Sequence, residues 1–379
     1  MTMRTAERSA IRFRPTVAVV DLDAVRHNVR ALMPDQAAIM AVVKANGYGH
    51  GAVPVGRAAL EGGAEWLGVA LVEEGIALRD GGIEAPVLVL TEFPPGSERD
   101  ALDANLTPTV YTREGLARLA AAAKGRSIGA HVKVDTGMHR VGLPPEEGMP
   151  FLEAVAAAGL RVEGLWTHFA KSEELADPFT SVQVERFGAV VEAARAAGLK
   201  PLVHAANSAA AMARPDTHFD LVRLGLATYG LCPGPELQDR ATALPLRPAL
   251  SWRSAVTMVK RVAPGERISY GQRYRLEREA TVATVPVGYA DGYGRRSSGK
   301  AQVLIRGRRY PVAGTVTMDH LMVDCGDDPV EPRDDVVLIG RQGDEEVTAD
   351  DLASWIGTVN YEVVCGLSER VPREYVGAS

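Results

Sequence analysis

Short β-rich apolar runs alternate with amphipathic helical stretches through the first two-thirds of the chain, and this alternation constrains the fold more than any other feature. Ile39 to Val43 is an uninterrupted apolar run, typical of a strand buried on both faces. Similar runs recur at Trp66 to Ala70, Pro86 to Leu90, Leu106 to Tyr111, Ala130 to Val134, Val162 to Thr167, Leu202 to Ala205 and Asp220 to Leu224. About eight strand–helix units over roughly 200 residues predict an α/β fold, a (β/α)8 barrel of the TIM type. An open doubly wound sheet is the alternative, but no G-x-G-x-x-G sequence follows the early strands.

The pattern changes after about Leu244, where proline residues become frequent and helical stripes become rare. Short β-type segments lie at Ala255 to Arg261, Thr281 to Val287, Ala301 to Ile305, His320 to Val323 and Asp335 to Ile339, with one short helical stripe near Asp350 to Ile356. We therefore predict a barrel domain over residues 14–245 and a C-terminal, mostly β domain over residues 246–379. Residues 1–13 are expected to pack with the second domain.

Composition and charge exclude several classes of protein. The 42 Lys and Arg against 48 Asp and Glu give a formal net charge of −6, which argues against a nucleic-acid partner. The longest apolar run, Ala37 to Val43, is too short to cross a membrane, and residues 1–15 lack the apolar core of a secretory signal. Three widely spaced cysteines argue against a disulfide framework and favour a reducing cytoplasm.

Lys44 ends the first predicted barrel strand, and active sites of this fold are built at the carboxyl ends of the strands. Desolvation at such a position favours the neutral amine, which can form a Schiff base. The glycine-rich segment that follows, up to Gly51, lets backbone approach a ligand closely and contains Tyr48. A solvent-exposed lysine before a glycine turn is the simpler interpretation.

A second cluster lies at the ends of the seventh and eighth predicted strands. Ser208 offers a hydroxyl at a helix start, and Gly225 exposes backbone N–H groups. The loops after these two strands are the usual phosphate site of a TIM barrel. A phosphate site there, together with a Schiff-base lysine on the first strand, suggests pyridoxal phosphate. A helix cap formed by Asn207 and Ser208 is the alternative.

Four histidines near strand ends raise a rival hypothesis, a metal-dependent barrel hydrolase. They are His50, His131, His168 and His204. No His-x-His or His-x-x-x-His spacing occurs, and no acidic residue adjoins His50 or His204. We therefore expect no metal site.

Longer motifs resemble those of the bacterial alanine racemases, in that family's order and along nearly the whole chain. The motifs are Ala41 to Gly51 (AVVKANGYGHG), His131 to Gly142, Thr167 to Ala170, His204 to Ala209, Val222 to Gly225, Ser269 to Gly271, Gly288 to Tyr293, Met318 to Asp319, Tyr361 to Val363 and Arg370 to Arg373. The resemblance implies a pyridoxal-phosphate-dependent isomerase that interconverts L- and D-alanine and supplies D-alanine for the peptidoglycan of the cell wall. Lys44 would hold the cofactor and act as the base on one face of the substrate α-carbon. Tyr270 of a second subunit would be the base on the opposite face, which implies a homodimer with shared active sites.

The resemblance also implies binding roles. The cofactor-binding residues would be Lys44, Tyr48, His168, Asn207, Ser208, Arg223, Gly225, Leu226 and Tyr361. Arg223 would face the pyridine nitrogen, and His168 would hydrogen-bond to Tyr270. Arg140 and the Met318 backbone would hold the substrate carboxylate. Lys133, a possible carbamate, would steady Arg140, and Tyr289 would line the substrate entrance.

Four positions depart from the pattern of that family, with His139, Thr317, His320 and Asn360 in place of glycine, cysteine, glutamine and serine. None of these changes removes a catalytic group. Thr317 and Asn360 bear on the substrate entrance, so a broader or serine-preferring racemase stays open. A non-catalytic pyridoxal phosphate carrier, a barrel without the second domain, is a further alternative, against which Tyr270 in a full β domain argues.

Overall fold

The computed structural model describes residues 13–377, which divide into two compact units. The barrel unit is Leu22–Ala249, and the β unit combines residues 13–21 with residues 250–377. The barrel domain predicted to begin at residue 14 thus begins at Leu22, because strand β1 (Val17–Asp21) pairs within the sheet of the β unit. We predict that residues 1–13 pack with the second domain, and residues 1–12 lie outside the described residues.

Eight parallel strands of the described chain form the barrel unit, and each coincides with a predicted apolar run. They are β2 (Ala38–Val42), β3 (Trp66–Val69), β4 (Val87–Val89), β5 (Thr109–Val110), β6 (Gly129–Lys133), β7 (Arg161–Trp166), β8 (Leu202–His204) and β9 (Leu221–Leu224). One sheet has the order β4-β3-β2-β9 and the other β5-β6-β7-β8. A bridge between Leu88 and Thr107 joins the sheets at one border, and a backbone hydrogen bond from Arg223 to Ala206 joins them at the other. This is the strand order of the predicted (β/α)8 barrel.

Helices connect these strands and cover them with amphipathic faces. They are α1 (Leu22–Ala31), α2 (Lys44–Tyr48), α3 (Ala52–Glu61), α4 (Val72–Asp80), α5 (Glu98–Asp103), α6 (Arg113–Ala123), α7 (Gly148–Ala157), α8 (Phe179–Ala196), α9 (Ser208–Ala213) and α10 (Gln238–Ala243). Thr112 caps α6, since its hydroxyl accepts the Gly115 N–H at 2.9 Å. Among residues 13–377, no helix has the length and apolar character needed to cross a membrane.

The β unit is mostly β, as predicted. Its strands after β1 are β10 (Leu250–Ala255), β11 (Met258–Val262), β12 (Arg267–Ile268), β13 (Tyr274–Arg275), β14 (Ala280–Val285), β15 (Gln302–Ile305), β16 (Arg308–Pro311), β17 (Leu321–Asp324), β18 (Asp335–Gln342), β19 (Glu345–Val347) and β20 (Arg373–Val376). Two helices follow β19: α11 (Ala349–Ile356) and α12 (Asn360–Cys365). The main sheet has the order β16-β15-β18-β10-β1-β20, and β11-β14-β17 form a second sheet. The predicted segment Ala255 to Arg261 does not form one strand. Ala255 is the last residue of β10, residues 258–261 belong to β11 in the other sheet, and residues 256–257 connect the two strands.

Candidate active site

Lys44 lies two residues after the last residue of β2 and begins a turn of left-handed backbone. Residues 45–48 all have φ between 50° and 61°. Each L-residue in this conformation costs about 1–2 kcal/mol, so surrounding contacts must hold the turn in place. The turn brings the Tyr48 side chain inward, where it is buried, while Lys44 stays partly exposed at the strand end.

Glu74 on α4 supports this turn, although the sequence places it only in the first turn of a helix, where acidic residues are common. Its Oε1 accepts the Ala45 N–H at 2.6 Å. Its Oε2 accepts the N–H groups of Ala70 and Leu71 at 2.9 and 3.1 Å. One carboxylate therefore ties the residue after Lys44 to the start of α4.

Tyr48, Ser208 and Gly225 form a cradle of polar groups at the ends of β2 and β9 and the start of α9. A Cβ atom at Gly225 would lie 2.8 Å from Tyr48 Oη and 3.9 Å from Ser208 Oγ, so a side chain there would press on the tyrosine hydroxyl. Ser208 Oγ accepts the N–H groups of Gly225 and Ala227 at 2.9 and 3.3 Å. Hydroxyls and backbone N–H groups gathered beside a glycine suit a phosphate group.

Asn207, also predicted to bind the cofactor, is the N-cap of α9. Its Oδ1 accepts the Ala210 N–H at 3.0 Å and the Ser172 hydroxyl at 2.8 Å. The Asn207 side-chain oxygen therefore caps the helix, which is the alternative role considered for this residue in the sequence analysis. A contact of Asn207 with the cofactor stays a prediction.

Arg223 on β9 is buried, and its guanidinium donates to a ring of acceptors. Nη1 donates to His204 Nδ1 at 3.0 Å, and Nη2 donates to Thr167 O at 2.7 Å, Ala205 O at 2.8 Å and His168 Nδ1 at 3.2 Å. Burial lowers the pKa of Arg223 to about 9, so the group remains charged at neutral pH. No carboxylate is among these acceptors, so the buried charge is held by neutral groups.

His168 lies at the centre of the predicted site residues of the barrel unit. Burial, and then the charges of Arg223, Arg140, Lys133 and Lys44, hold its pKa well below the ordinary value. The imidazole is therefore neutral and accepts from Arg223 through Nδ1. The predicted site residues on four different strand ends come together around this one ring.

Arg140 lies exposed in the loop after β6, and the Lys133 side chain at the end of β6 hydrogen-bonds to that loop. Lys133 is buried, and its Nζ donates to Val141 O at 2.6 Å, next to Arg140. Burial first, and then the charge of Arg223, lower the pKa of Lys133 to about 8. Asp135 Oδ1 closes the loop by accepting the N–H groups of Gly137 and His139 at 2.9 and 3.1 Å.

His139 adopts the backbone conformation that explains the glycine expected at its position. Its φ is +53°, in the left-handed region that favours glycine. The histidine side chain is exposed, so the departure adds backbone strain beside Arg140 without filling the site.

Gln183 on α8 is a buried supporting residue that sequence patterns do not reveal, because it lies within a helical stripe. Its Nε2 donates to His168 O at 3.0 Å and to Thr136 Oγ1 at 3.1 Å. Its Oε1 accepts the Ala170 N–H at 2.8 Å. The amide thus joins the loops that follow β6 and β7, which carry Arg140 and His168.

The β unit carries the remaining predicted site residues on its surface: Tyr270, Tyr289, Met318 and Tyr361 are all exposed. Tyr270 lies in the turn between β12 and β13, and its carbonyl oxygen accepts the Thr315 hydroxyl at 2.7 Å. Ser269 before it has φ of +63°. The turn therefore presents the Tyr270 side chain outward on a fixed backbone.

Two of the departures from the family pattern interact in the turn that presents Met318. Thr317 Oγ1 donates to His320 O at 2.8 Å and accepts the His320 N–H at 3.1 Å. Thr317 O in turn accepts the Tyr289 N–H at 3.0 Å, which links the two turns. The departure at Asn360 joins α12 to α11, since its Nδ2 donates to Asp350 Oδ1 at 2.8 Å. Among residues 13–377, no three His, Cys, Asp or Glu side chains are grouped in a way that could hold a metal ion.

Comparison with known proteins adds independent information. Residues 20–233 match the model of the alanine racemase N-terminal domain, and residues 249–375 match that of the alanine racemase C-terminal domain. Alanine racemase of Symbiobacterium thermophilum is 51% identical over 373 residues, which cover 96% of this chain and 98% of that one. Alanine racemase of Frankia casuarinae is 46% identical, over 95% of this chain and 96% of its own.

Solved structures agree over the full length. The alanine racemase from D-cycloserine-producing Streptomyces lavendulae superposes with a TM-score of 0.93 at 41% identity, covering 97% of this chain and 99% of that one. The alanine racemase from Bacillus anthracis with bound L-Ala-P superposes with a TM-score of 0.90 at 39% identity, covering 97% of this chain and 96% of that one. On the domains, the full-length identity and the fold, the chain belongs to the alanine racemase family.

Proposed function

We propose that the protein is a pyridoxal-phosphate-dependent alanine racemase that interconverts L- and D-alanine and supplies D-alanine for peptidoglycan. The observation that carries the proposal is the strand-end cluster in which Arg223 Nη2 lies 3.2 Å from Nδ1 of the half-buried His168 and the charges of Lys44, Lys133, Arg140 and Arg223 lower the pKa of that imidazole. Four cationic side chains around a neutral imidazole suit anionic ligands. The cofactor phosphate and the substrate carboxylate are such ligands.

The residues of the barrel unit fit pyridoxal phosphate at three points. The cradle of Tyr48, Ser208 and Gly225 offers hydroxyl groups to the phosphate beside a glycine that leaves room for it. Arg223 offers a charged donor to the pyridine nitrogen, and Lys44 offers an amine to the aldehyde carbon. Three further groups are predicted to bind the phosphate: the Leu226 N–H, the Asn207 side chain and the Tyr361 hydroxyl of the β unit.

When bound, pyridoxal phosphate supplies an electron-withdrawing ring that makes the α-hydrogen of the amino acid acidic. Lys44 Nζ moves this proton on one face of the α-carbon, and Tyr270 Oη moves it on the other. Inversion needs a base on each face, because the proton that leaves one side must be replaced from the other. His168 is proposed to orient the Tyr270 hydroxyl by a hydrogen bond.

Arg223 sets how strongly the ring withdraws electrons. It is charged at neutral pH, and N–H groups of its Nη1 and Nη2 are already committed to His204, Thr167 and Ala205. A guanidinium held in this way donates a hydrogen bond to the pyridine nitrogen without giving up its proton. Weaker electron withdrawal favours return of the proton to the α-carbon over side reactions such as transamination.

Arg140 is proposed to hold the substrate carboxylate, together with the Met318 backbone N–H. The hydrogen bond from Lys133 to Val141 O fixes the loop beside Arg140. A pKa of about 8 leaves a larger neutral fraction of Lys133 at neutral pH than an exposed lysine has, and only a neutral amine reacts with carbon dioxide. A carbamate at Lys133, made anionic between Arg140 and Arg223, is therefore part of the proposal.

The enzyme is proposed to act as a cytoplasmic homodimer in which each site combines Lys44 of one subunit with Tyr270 of the other. The exposure of Tyr270, Tyr289 and Met318 supports this proposal, because a working base must be covered from water by something. The odd number of cysteines supports a reducing compartment.

A direct test combines chemistry with a substrate comparison. Borohydride treatment of the purified holoprotein, followed by peptide mapping, should place the mass of the reduced cofactor on Lys44. The protein should racemise L-alanine, and L-serine should react with a lower kcat/KM. Equal or higher kcat/KM for serine would assign the serine-preferring alternative, and bound cofactor without racemisation would assign the carrier. Absence of cofactor would overturn the proposal.

A further inference from the structure

A chain of hydrogen bonds runs from Arg223 through His204 to His131. The proposed function gives a role to Arg223 and none to His131. Arg223 Nη1 lies 3.0 Å from His204 Nδ1, and His204 Nε2 lies 2.9 Å from His131 Nδ1. All three side chains are buried, and both histidines are completely inaccessible to solvent. We call these three residues the Arg–His–His chain.

The chemistry of the donors gives this chain one direction. A guanidinium has only N–H donors, so His204 must accept through an unprotonated Nδ1. Neutral His204 then carries its hydrogen on Nε2 and donates it to His131 Nδ1. A hydrogen on His204 Nδ1 would face the N–H of Arg223, and one on His131 Nδ1 would face the N–H of His204. The Nε2–H tautomer of His204 thus suits both of its partners, the donor Arg223 and the acceptor His131.

The surroundings keep both rings neutral and in place. Burial and the charge of Arg223 lower the pKa of His131 to about 3 and hold that of His204 well below its ordinary value. The His204 ring stacks on Trp166 at 5.5 Å with an interplanar angle of 7°, and the His131 ring lies 5.4 Å from Trp66. A Cβ atom at Gly164 would lie 2.2 Å from His131 Nδ1, so glycine there makes the space that the imidazole occupies.

His131 is a costly residue for a purely structural place in this core. Its Nε2 is buried and has no hydrogen-bond partner among the described residues. An unsatisfied buried N–H costs about 1–3 kcal/mol, which an apolar side chain of similar size would avoid. What His131 provides that such a side chain does not is the acceptor for His204.

We propose that His131 is a positioning residue that acts through His204. By accepting from Nε2, it keeps His204 in the tautomer that accepts from Arg223, and so keeps the guanidinium oriented and charged. Only the last link, Arg223 at the pyridine nitrogen, rests on the proposed function. The tautomer of His204 is a property of the protein itself and is tested separately.

The experiment compares three variants of the holoprotein. In His131→Asn, the amide oxygen can take the place of Nδ1 and accept from His204. In His131→Leu, the acceptor is lost and the volume is largely kept. In His131→Gln, the acceptor moves outward by about one bond, which provides a second disrupted variant where the leucine protein does not fold. His218→Asn is the matched control, because the His218 ring bonds through Nε2 to Ala211 O and lies outside the Arg–His–His chain.

The first readout is the ring nitrogen spectrum of ¹⁵N-histidine-labelled protein, which distinguishes the two tautomers without reference to activity. We expect His204 to carry its hydrogen on Nε2 in the wild type, in His131→Asn and in His218→Asn. We expect a changed or mixed tautomer in His131→Leu and His131→Gln. Retention of the wild-type His204 signals in both disrupted, folded variants would overturn the proposal whatever reaction the protein catalyses.

The second readout is the division between kcat and KM for racemisation. Loss of an outer partner of a catalytic group typically costs about 10–100-fold, so we expect about a tenfold fall in kcat with KM changed less than about twofold in His131→Leu. His131→Asn should recover to within about threefold of the wild type. A changed tautomer with unchanged kcat would overturn the link to catalysis. A wild type that does not racemise alanine would overturn the proposed function while leaving the tautomer result standing.

Discussion

The two sets of proposed site residues are built differently. In the barrel unit, Arg223 and Lys133 are 3% and 1% exposed and held by short hydrogen bonds. In the β unit, Tyr270 and Met318 are 74% and 52% exposed, and the interactions that fix them are made by their backbones. Arg223 and Lys133 of the barrel set are organised before any ligand arrives, whereas Tyr270 and Met318 of the β set present exposed side chains from hydrogen-bonded turns.

This difference indicates that cofactor binding depends mainly on the barrel set and that catalysis depends also on the β set. Buried, charged donors such as Arg223 and Lys133 are ready to act on an anionic cofactor at little reorganisation cost. An exposed tyrosine becomes an effective base only when another surface covers it. If the comparison is right, variants of the barrel set should change cofactor binding, and variants of the β set should change catalysis and depend on assembly.

The largest expected effect concerns the two bases. Lys44→Ala and Tyr270→Phe should each lower racemisation by about 1,000-fold or more, the range of a lost acid–base group. Unfolded and refolded together in equal amounts, the two inactive proteins should form half heterodimers with one intact site of two. About a quarter of the wild-type activity should then return in the racemisation assay.

Lys200→Ala, at an exposed lysine of the barrel unit, is the control and should keep full activity. Heterodimers that form without any return of activity would mean that Tyr270 acts within its own chain, and the division between the two sets would then not be one between subunits.

A smaller effect tests the cradle of the barrel set. In Gly225→Ala, the new Cβ would press on Tyr48 Oη at 2.8 Å, and overpacking of this kind costs about 1–3 kcal/mol. The affinity for pyridoxal phosphate should fall by about tenfold or more in a fluorescence titration. Gly188→Ala on α8 meets no atom within 4 Å, so it should leave the affinity unchanged and stabilise the helix slightly. Equal affinity in both variants would remove Gly225 from the phosphate site.

Acidification should distinguish the two units by their histidines. Burial lowers the pKa of His131 to about 3 and holds those of His168 and His204 well below the ordinary value. The unfolded chain binds protons at these rings near pH 6.5, and the folded chain does not. Stability is therefore complete above about pH 6.5 and falls below it, by up to about 1.4 kcal/mol per pH unit for each histidine.

Hydrogen exchange, corrected for the intrinsic pH dependence, should show this loss. Between pH 7 and pH 5, protection should fall more in barrel strands β6 to β9 than in strands β10 and β18 of the β unit. The described residues of the β unit include no buried histidine, so equal losses in both units would contradict the assignment of buried neutral rings.

The smallest effect concerns strain beside Arg140. His139→Gly relieves a left-handed residue, and the free energy of unfolding should rise by about 0.5–1 kcal/mol. Lys124→Gly removes a similar residue, with φ of +46°, at the exposed end of α6 and should give a similar gain in thermal unfolding. Only His139→Gly should also change KM for alanine, because its loop carries Arg140. A change of KM in both variants would point to a general effect on the barrel.

The local pattern of the sequence sufficed for much of this protein. Uninterrupted apolar runs identified all eight barrel strands. Strands that are buried on both faces need apolar residues at nearly every position and do not alternate with polar ones. The motif around Lys44 and the motif from Val222 to Gly225 helped to carry the family resemblance, because both keep that family's residue types in that family's order.

Only the tertiary structure decided which distant segments meet. β1 joins the β unit because it pairs with β10 and β20, more than 200 residues away, and no local pattern encodes that register. Glu74, Gln183 and His131 support the site through contacts between segments that are far apart in sequence. Hydrophobic periodicity is a property of neighbouring residues, whereas tautomers, buried charges and strained turns depend on what packs against them. The sequence thus determined the strands and the reactive groups, and the packing determined how those groups are charged and oriented.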